Sequence, residues 1–342
     1  VQGVETVAKK KEKPNVVREM LRDYPDADTR TLARLLHEKY PHEFKSVENA
    51  RTRLRYQRGA VGKTKRELLA DDEHVREHGK QKSISFPKGL RQVQKPVKIR
   101  TPGKYLVLSD LHVPYHCEKA LESALRAGID AGCEHLVLNG DFMDFYRLSR
   151  WDQDPRARNP EDELKIGAEV IGELNKHFGS DSVRVFKVGN HEQRYHSYLY
   201  QRAPALVGME DFRLDRILPL KDHKWKFIQS KQEYHLGKLP LLHGHELPRG
   251  LTDPVNIGRG VYLRVAGTAM VGHWHRTSTH VETTGIDERL VPCYSLGCLC
   301  DLKPEYATIN RWNHGFAIVT VGERGHYQVQ NMIIHDGEVF AT

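Results

Sequence analysis

Long apolar runs are missing from this 342-residue chain: none approaches the ~18 residues that suggest a membrane span. The basic start, VQGVETVAKKKEK, has no apolar core and does not resemble a secretory signal. Cysteine is scarce and odd in number, five in all, which argues against a disulfide scaffold and for a reducing, cytoplasmic setting. Three of the five fall in PCYSLGCLC (Cys293, Cys298, Cys300), but no second pair stands at zinc-finger spacing. These cysteines are expected to be small buried residues in or beside a strand. A nucleotide-binding loop is also lacking. Gly62-Lys63-Thr64 would need a glycine five residues before Gly62, where Gln57 stands in an arginine-rich helical pattern.

What remains, 39% hydrophobic and 29% charged residues, is the make-up of a globular protein. The charge is uneven. Residues 1–100 hold 25 Lys+Arg against 14 Asp+Glu, and the other 242 hold 28 against 31. A basic module appended to a near-neutral body points to a polyanionic partner for the first part. Residues 1–59 are expected to be a small basic all-α unit. Val16, Val17, Met20 and Leu21 give a first helix behind Pro14, and Asp28 or Thr29 caps a second with Leu32, Leu35, Leu36 and Tyr40 on one face. Ser46 caps a third with an apolar stripe of Val47, Ala50 and Leu54. Arg51, Arg55 and Arg58 recur on another face of it, the arrangement of a helix-turn-helix-like unit binding nucleic acid. Its alternative is a solvated bundle. Residues 60–103, charged and punctuated by Pro87, Pro96 and Pro102, have the make-up of a linker.

From Lys104 to Thr342 the pattern changes. KYLVLSD, HLVLNGD and SVRVFKVGN are apolar strands alternating with the helical stretches EKALESALRAGIDAG and EDELKIGAEVIGELNKHFG, hence an α/β sheet with helices on its faces. LPLLHG, TAMVGHWH, RLVPCYSLG and GFAIVTVG suggest a second, more antiparallel sheet. Each of five strands runs into a short polar motif: Ser109-Asp110-Leu111-His112, Gly140-Asp141-Phe142-Met143-Asp144, Gly189-Asn190-His191-Glu192, His243-Gly244-His245 and Gly272-His273-Trp274-His275. Sites on open α/β sheets form at the carboxyl ends of strands, so these loops can converge. Singly, each motif is an ordinary turn or cap. Together they offer carboxylate, amide and imidazole groups that suit Mn, Fe, Zn, Co or Ni better than Mg or Ca. Their number suggests two ions sharing a carboxylate.

The set D-x-H, G-D-x-x-D, G-N-H-E, H-G-H, G-H-x-H resembles the calcineurin-like metallophosphoesterases over residues 104 to about 335. The resemblance implies a four-layer α/β/β/α sandwich and two divalent ions, manganese foremost. Asp110, His112 and His275 would bind the first ion, Asn190, His243 and His273 the second, with Asp141 bridging. His191 would stand beside the scissile phosphate as general acid, and Asp144 would hydrogen-bond it and raise its pKa. Arg194 would contact a phosphoryl oxygen or pair with a carboxylate. Trp274 stands where the family often has threonine, and Asn139 replaces the commoner glycine. SDLHVPYH, GDFMDFYRLSRWDQDP and GCLCDLKPEYA are similar to a phage or prophage branch, which would place the protein in a host cytoplasm.

Three functions follow. The favoured one is a metal-dependent phosphodiesterase, a nuclease on DNA or RNA, reached through the basic N-terminal unit. A phosphomonoesterase on protein, nucleotide or metabolite is the second. A non-catalytic DNA-binding accessory protein is the third.

Overall fold

The computed structural model describes residues 15–61, 86–90, 94–149, 159–248 and 255–342. The chain divides into two compact units, Val1–Arg91 and Gln92–Thr342. Pro14 and most of the expected linker lie outside the described residues. Among those described, no helix is long and apolar enough to cross a membrane.

The first unit holds helices α1 (Val16–Asp23), α2 (Thr29–Lys39) and α3 (Val47–Gln57), whose side-chain caps are Asn15, Asp28 and Ser46. Each cap satisfies backbone N–H groups that the first helical turn leaves without a partner. The core is Val17, Met20, Leu21, Leu32, Ala33, Leu36, Phe44, Ala50 and Leu54. Two expected core residues are outside it: Leu35 and Val47 are exposed, and Ala33 and the loop residue Phe44 take their places. A bundle this small buries only a narrow stripe of each helix.

Arg58 also departs from expectation. It is the C-cap of α3, and its guanidinium donates to Thr29 Oγ1 (2.6 Å), the Ala27 carbonyl (2.6 Å) and the Pro25 carbonyl (3.2 Å). It ties α3 to the α1–α2 connection instead of facing outward. Arg51 pairs with Glu48 at 3.1 Å, and Arg55 is exposed.

In the second unit, seven strands run in the order β13-β12-β11-β2-β3-β4-β5 and six in the order β1-β6-β7-β8-β10-β9. The first sheet consists of β2 (Gly103–Leu108), β3 (His135–Leu138), β4 (Arg184–Lys187), β5 (Lys226–Ile228), β11 (His314–Val321), β12 (Tyr327–His335) and β13 (Glu338–Ala341). The second consists of β1 (Val97–Ile99), β6 (Tyr234–Leu236), β7 (Leu239–Leu241), β8 (Ala269–Val271), β9 (Ser278–Thr283) and β10 (Leu290–Ser295). Strands β2 to β5 are parallel neighbours.

Alternation along buried strands builds the layers. Leu106, Leu108, Leu136 and Leu138 face α4 (Glu118–Asp130) and α5 (Pro160–Lys176), where Ala120, Ala124, Ile171 and Leu174 meet them. Their neighbours Tyr105, Val107 and Val137 point the other way, onto Tyr234, Leu236, Leu241 and Met270 of the second sheet. Ala269, Val271 and Cys293 on that sheet's far side pack on Ile257 and Val261 of α7 (Ile257–Val265). The result is the four-layer α/β/β/α sandwich.

Strand pairing differs from the expectation in three places. GFAIVTVG, as β11, pairs antiparallel with β2 in the first sheet. The second sheet is mixed, with β1–β6, β7–β8 and β8–β10 parallel. Val97–Ile99, within the segment expected to be a linker, is a strand beside β6. Apolar runs reveal that strands exist, whereas partners are selected by non-local packing.

Removing the Arg58 tie should weaken the helical unit. Arg58→Ala is expected to cost about 1–2 kcal/mol, the lower part of the range for hydrogen bonds to a charged group because Arg58 is partly exposed. Urea unfolding followed by circular dichroism, with Arg55→Ala as the unaffected comparison, measures it.

Candidate metal centre

The five polar motifs stand at the carboxyl ends of β2, β3, β4, β7 and β8, where the two sheets meet. Five of the seven candidate ligands have left-handed backbone: Asp110 (φ 56°), His112 (50°), Asp141 (50°), His273 (70°) and His275 (56°). Such conformations at non-glycine residues cost on the order of 1–3 kcal/mol each and persist only where the surroundings impose them. Two glycines permit the crowding. A Cβ on Gly189 would lie 2.2 Å from Asp141 Oδ1, and one on Gly272 would lie 2.0 Å from Ser109 Oγ.

Asp110, His112 and Asp141 form one cluster of donor atoms, and Asp141, His243 and His273 form another, so Asp141 belongs to both. His275 Nε2 joins the first, 3.2 Å from Asp110 Oδ1 and 3.2 Å from His112 Nε2. His243 Nε2 lies 3.1 Å from Asp141 Oδ2. Asn190 opens helix α6 (Asn190–Arg202), whose next backbone N–H, that of His191, donates to Asp141 Oδ1 at 2.9 Å. Buried polar atoms normally have hydrogen-bond partners. Asn190 Oδ1, in the candidate ligand set, is buried without one. The donor set therefore fits borderline divalent cations.

Electrostatics point the same way. Burial opposes ionisation of Asp110, Asp141 and Asp144, yet neighbouring histidines hold all three below the usual carboxylate range. Burial lowers His243, but Asp141 and Asp110 outweigh it and raise the ring to about 10. His273 is lowered to about 4, chiefly by burial.

Asp144 serves two histidines. Its Oδ1 accepts from His112 Nδ1 at 3.0 Å and lies 3.1 Å from His191 Nδ1, while its carbonyl lies 2.9 Å from that same nitrogen. A His191 Nδ1–H directed at Asp144 leaves Nε2 as an acceptor, and Arg194 Nη2 donates to it at 2.8 Å. Arg194 Nη1 donates to the Asp144 carbonyl at 3.0 Å. The expected alternative of an Arg194–carboxylate pair is not found among the described residues.

Several supporting residues were not assigned a role from sequence. Glu192, fully buried, accepts from the backbone N–H groups of Gly189 (2.8 Å), Met143 (2.8 Å) and Asp141 (3.1 Å), locking two ligand loops together. Burial and the Asp141 charge raise its pKa to about 7. Glu246 accepts from the Gly244 N–H at 2.7 Å and meets the fully buried Lys187 at 2.9 Å. Asn139 binds across the sheets, with its carbonyl on His243 Nδ1 (2.8 Å), its Oδ1 on the Tyr234 hydroxyl (2.8 Å) and its Nδ2 on the Leu242 carbonyl (3.0 Å). Cys300 Sγ lies 3.9 Å from His275 Nδ1, and Trp312 covers that ring at a centroid distance of 4.2 Å. Signals existed for two of these. Glu192 completes a quoted motif, and Asn139 replaced a glycine.

Outside the centre opens a cavity of about 1150 Å³ whose wall includes Asn190, His273, Arg147, Arg194, Arg202 and Arg264. No carboxylate is among its described lining residues. Trp274 borders it, edge-on to His273 (5.2 Å) and with the Arg264 guanidinium 5.7 Å from its ring.

Glu192→Gln should lower divalent-metal affinity by ~10–100-fold, as loss of ligand-orienting contacts does elsewhere. Competition against a chromophoric chelator reads this directly. Glu246 offers a pH test. Burial tends to raise its pKa, but Lys187 leads the groups that bring it down from 4.5 to about 2. A depressed carboxylate adds stability that is present above the unfolded value and lost as pH falls through the folded one. Wild type should therefore lose stability more steeply than Glu246→Gln between pH 4.5 and 2 in denaturant titrations.

No family model matches the chain. Over 230 residues it is 25% identical to the Gene 54 protein of Mycobacterium phage L5, covering 64% of this chain and 89% of that protein. Among solved structures it is similar to Yfce, a phosphoesterase from E. coli, with 18% identity over 70% of this chain and 97% of that one and a TM-score of 0.34. It is also similar to a metallophosphoesterase from Sphaerobacter thermophilus, with 16% identity over 69% and 89% of the two chains and a TM-score of 0.36. The layered sandwich, and five motifs in the family's order at the ends of its strands, give this chain the calcineurin-like metallophosphoesterase fold.

Proposed function

We propose that the protein is a metal-dependent phosphoesterase and, within that class, a phosphodiesterase acting on DNA or RNA. The observation that carries the first part is the clustering of Asp110, His112, His243, His273 and His275 with Asp141, with Asn190 Oδ1 on the adjoining loop buried without a partner. Asp110, His112 and His275 would hold one divalent ion and Asn190, His243 and His273 the other, with Asp141 common to both. Manganese is the ion to try first, and the same donors accept Fe, Zn, Ni or Co. Such a pair, when bound, acidifies a water molecule and neutralises charge developing at phosphorus.

The chain's own residues supply the rest. Asp144 orients His112 through Nδ1, so Nε2 of that ring faces the ligand cluster. It orients His191 as well, whose Nε2 lies 3.9 Å from Asp141 Oδ2, at the edge of the centre. For His191 to protonate a leaving oxygen, Nε2 must be released by Arg194 and take up a proton from solvent, which it then passes to that oxygen. An entering phosphate attracts the guanidinium, so one movement frees the ring and pairs the arginine with substrate.

Two features support a nucleic-acid diester. The cavity exceeds the ~300–1000 Å³ of small-ligand pockets and is lined with arginines. In the basic N-terminal unit, Arg51 and Arg55 are the residues we propose for phosphate contact, Arg58 being committed internally. Similarity to a phage protein makes a host cytoplasm the proposed setting.

With Mn supplied, the protein should hydrolyse bis-p-nitrophenyl phosphate and an oligonucleotide, and chelator should abolish both activities. His191→Ala should lower kcat by ~10²–10⁴, the usual contribution of a positioned acid. Efficient hydrolysis of p-nitrophenyl phosphate with both diesters untouched would replace this reading by the monoesterase.

A further inference from the structure

The cavity beyond the metal centre is built along one side of α6. Asn190, Arg194, Ser197, Tyr198, Gln201 and Arg202 recur at three- and four-residue spacing along its wall, whereas Glu192, Tyr195 and Leu199 are buried on the other side. From Asn190 to Arg202 the helix rises about 18 Å. Tyr198 is 46% exposed, and Trp274, beside His273, lines the same cavity. The proposed chemistry uses Asn190 and Arg194 but leaves Tyr198, Gln201, Arg202 and Trp274 without a role.

We infer that this side of α6, together with Trp274 in the same cavity, is a track for one single strand of nucleic acid leading away from the scissile phosphate. The inference rests on the diesterase reading of the same centre and adds which polymer form binds and where. Length is the first argument. About 18 Å spans several nucleotides of a strand, whose phosphates lie at least ~3.4 Å apart, far more than one phosphate ester requires. Chemistry is the second. Arg202 places a cation at the far end, while Ser197 and Gln201 supply neutral hydrogen-bonding groups of the kind that contact phosphate and sugar. Tyr198 and Trp274 offer aromatic faces on which bases stack without regard to sequence. Only unpaired bases can use such faces, since duplex bases are already stacked on one another. This selects a single strand.

The test uses the full chain with metal withheld, so that binding is read apart from turnover. A 5-iodouracil-substituted single-stranded oligonucleotide is bound, cross-linked by light and mapped by mass spectrometry. Cross-links are expected within residues 190–202 and at Trp274. Combining Tyr198→Ala with Arg202→Gln should lower their yield by about ten-fold, the scale of losing one stacking platform. The Arg202→Gln change alone should reduce the salt slope of binding by ~0.7. Arg324→Ala, in the turn between β11 and β12, should change neither, and a duplex should compete poorly. An unchanged melting temperature confirms that the double variant is folded. Cross-links absent from α6 and Trp274, unaltered by the double variant, or displaced equally by duplex would overturn the track. Cross-links at α6 in a protein that hydrolyses no diester would uphold the track and overturn only the diesterase reading.

Discussion

Asp141 is the contact on which the rest depends. Its carboxylate meets His243, receives the His191 N–H at the start of α6 and lies against Gly189 closely enough to forbid any side chain there. Its own N–H is held by Glu192. Two sheets, a helix terminus and two loops are thus referred to one side chain. A carboxylate so deeply buried is tolerable only with compensating positive charge, of the kind that the neighbouring histidines offer.

Around that centre the fold holds conformations that the candidate ligands would not adopt alone. Left-handed backbone at Asp110, His112, Asp141, His273 and His275 requires a frame stiff enough to impose it. Three buried devices supply the frame: Glu192 binds the β3 and β4 loops, Lys187–Glu246 fixes the loop after β7, and Asn139 links the sheets under His243. Each uses a polar group that in isolation would be costly to bury, and each satisfies most of its hydrogen-bonding capacity. The same logic separates Arg58 from Arg55. A guanidinium that fills three acceptors within its own unit has few donors left for phosphate, however well its spacing matches its neighbours.

Much of this was legible in the chain itself. Strands of the first sheet, helices α4 and α5, the caps Asp28 and Ser46, and the convergence of five motifs follow from patterns with local causes: burial period, cap chemistry, and polar residues placed where a strand must turn. Residues such as Glu192 and Lys187 were not legible as supports, because nothing about a glutamate or a lysine in sequence says whether it will be buried or which backbone N–H it will meet.

Determined by the sequence alone were the α/β character, the order of the ligand types and the basic bias of the first hundred residues, since each is a property of neighbours along the chain. Tertiary structure alone decided that β11 joins the first sheet, that the second sheet is mixed, that Arg58 turns inward, that Asp144 serves His112 as well as His191, and that one side of α6 borders an arginine-lined cleft. The physical reason is common to all five. Pairing, burial and hydrogen-bond partnership are contests among groups distant in sequence, and their winners are set by the packing of the whole fold.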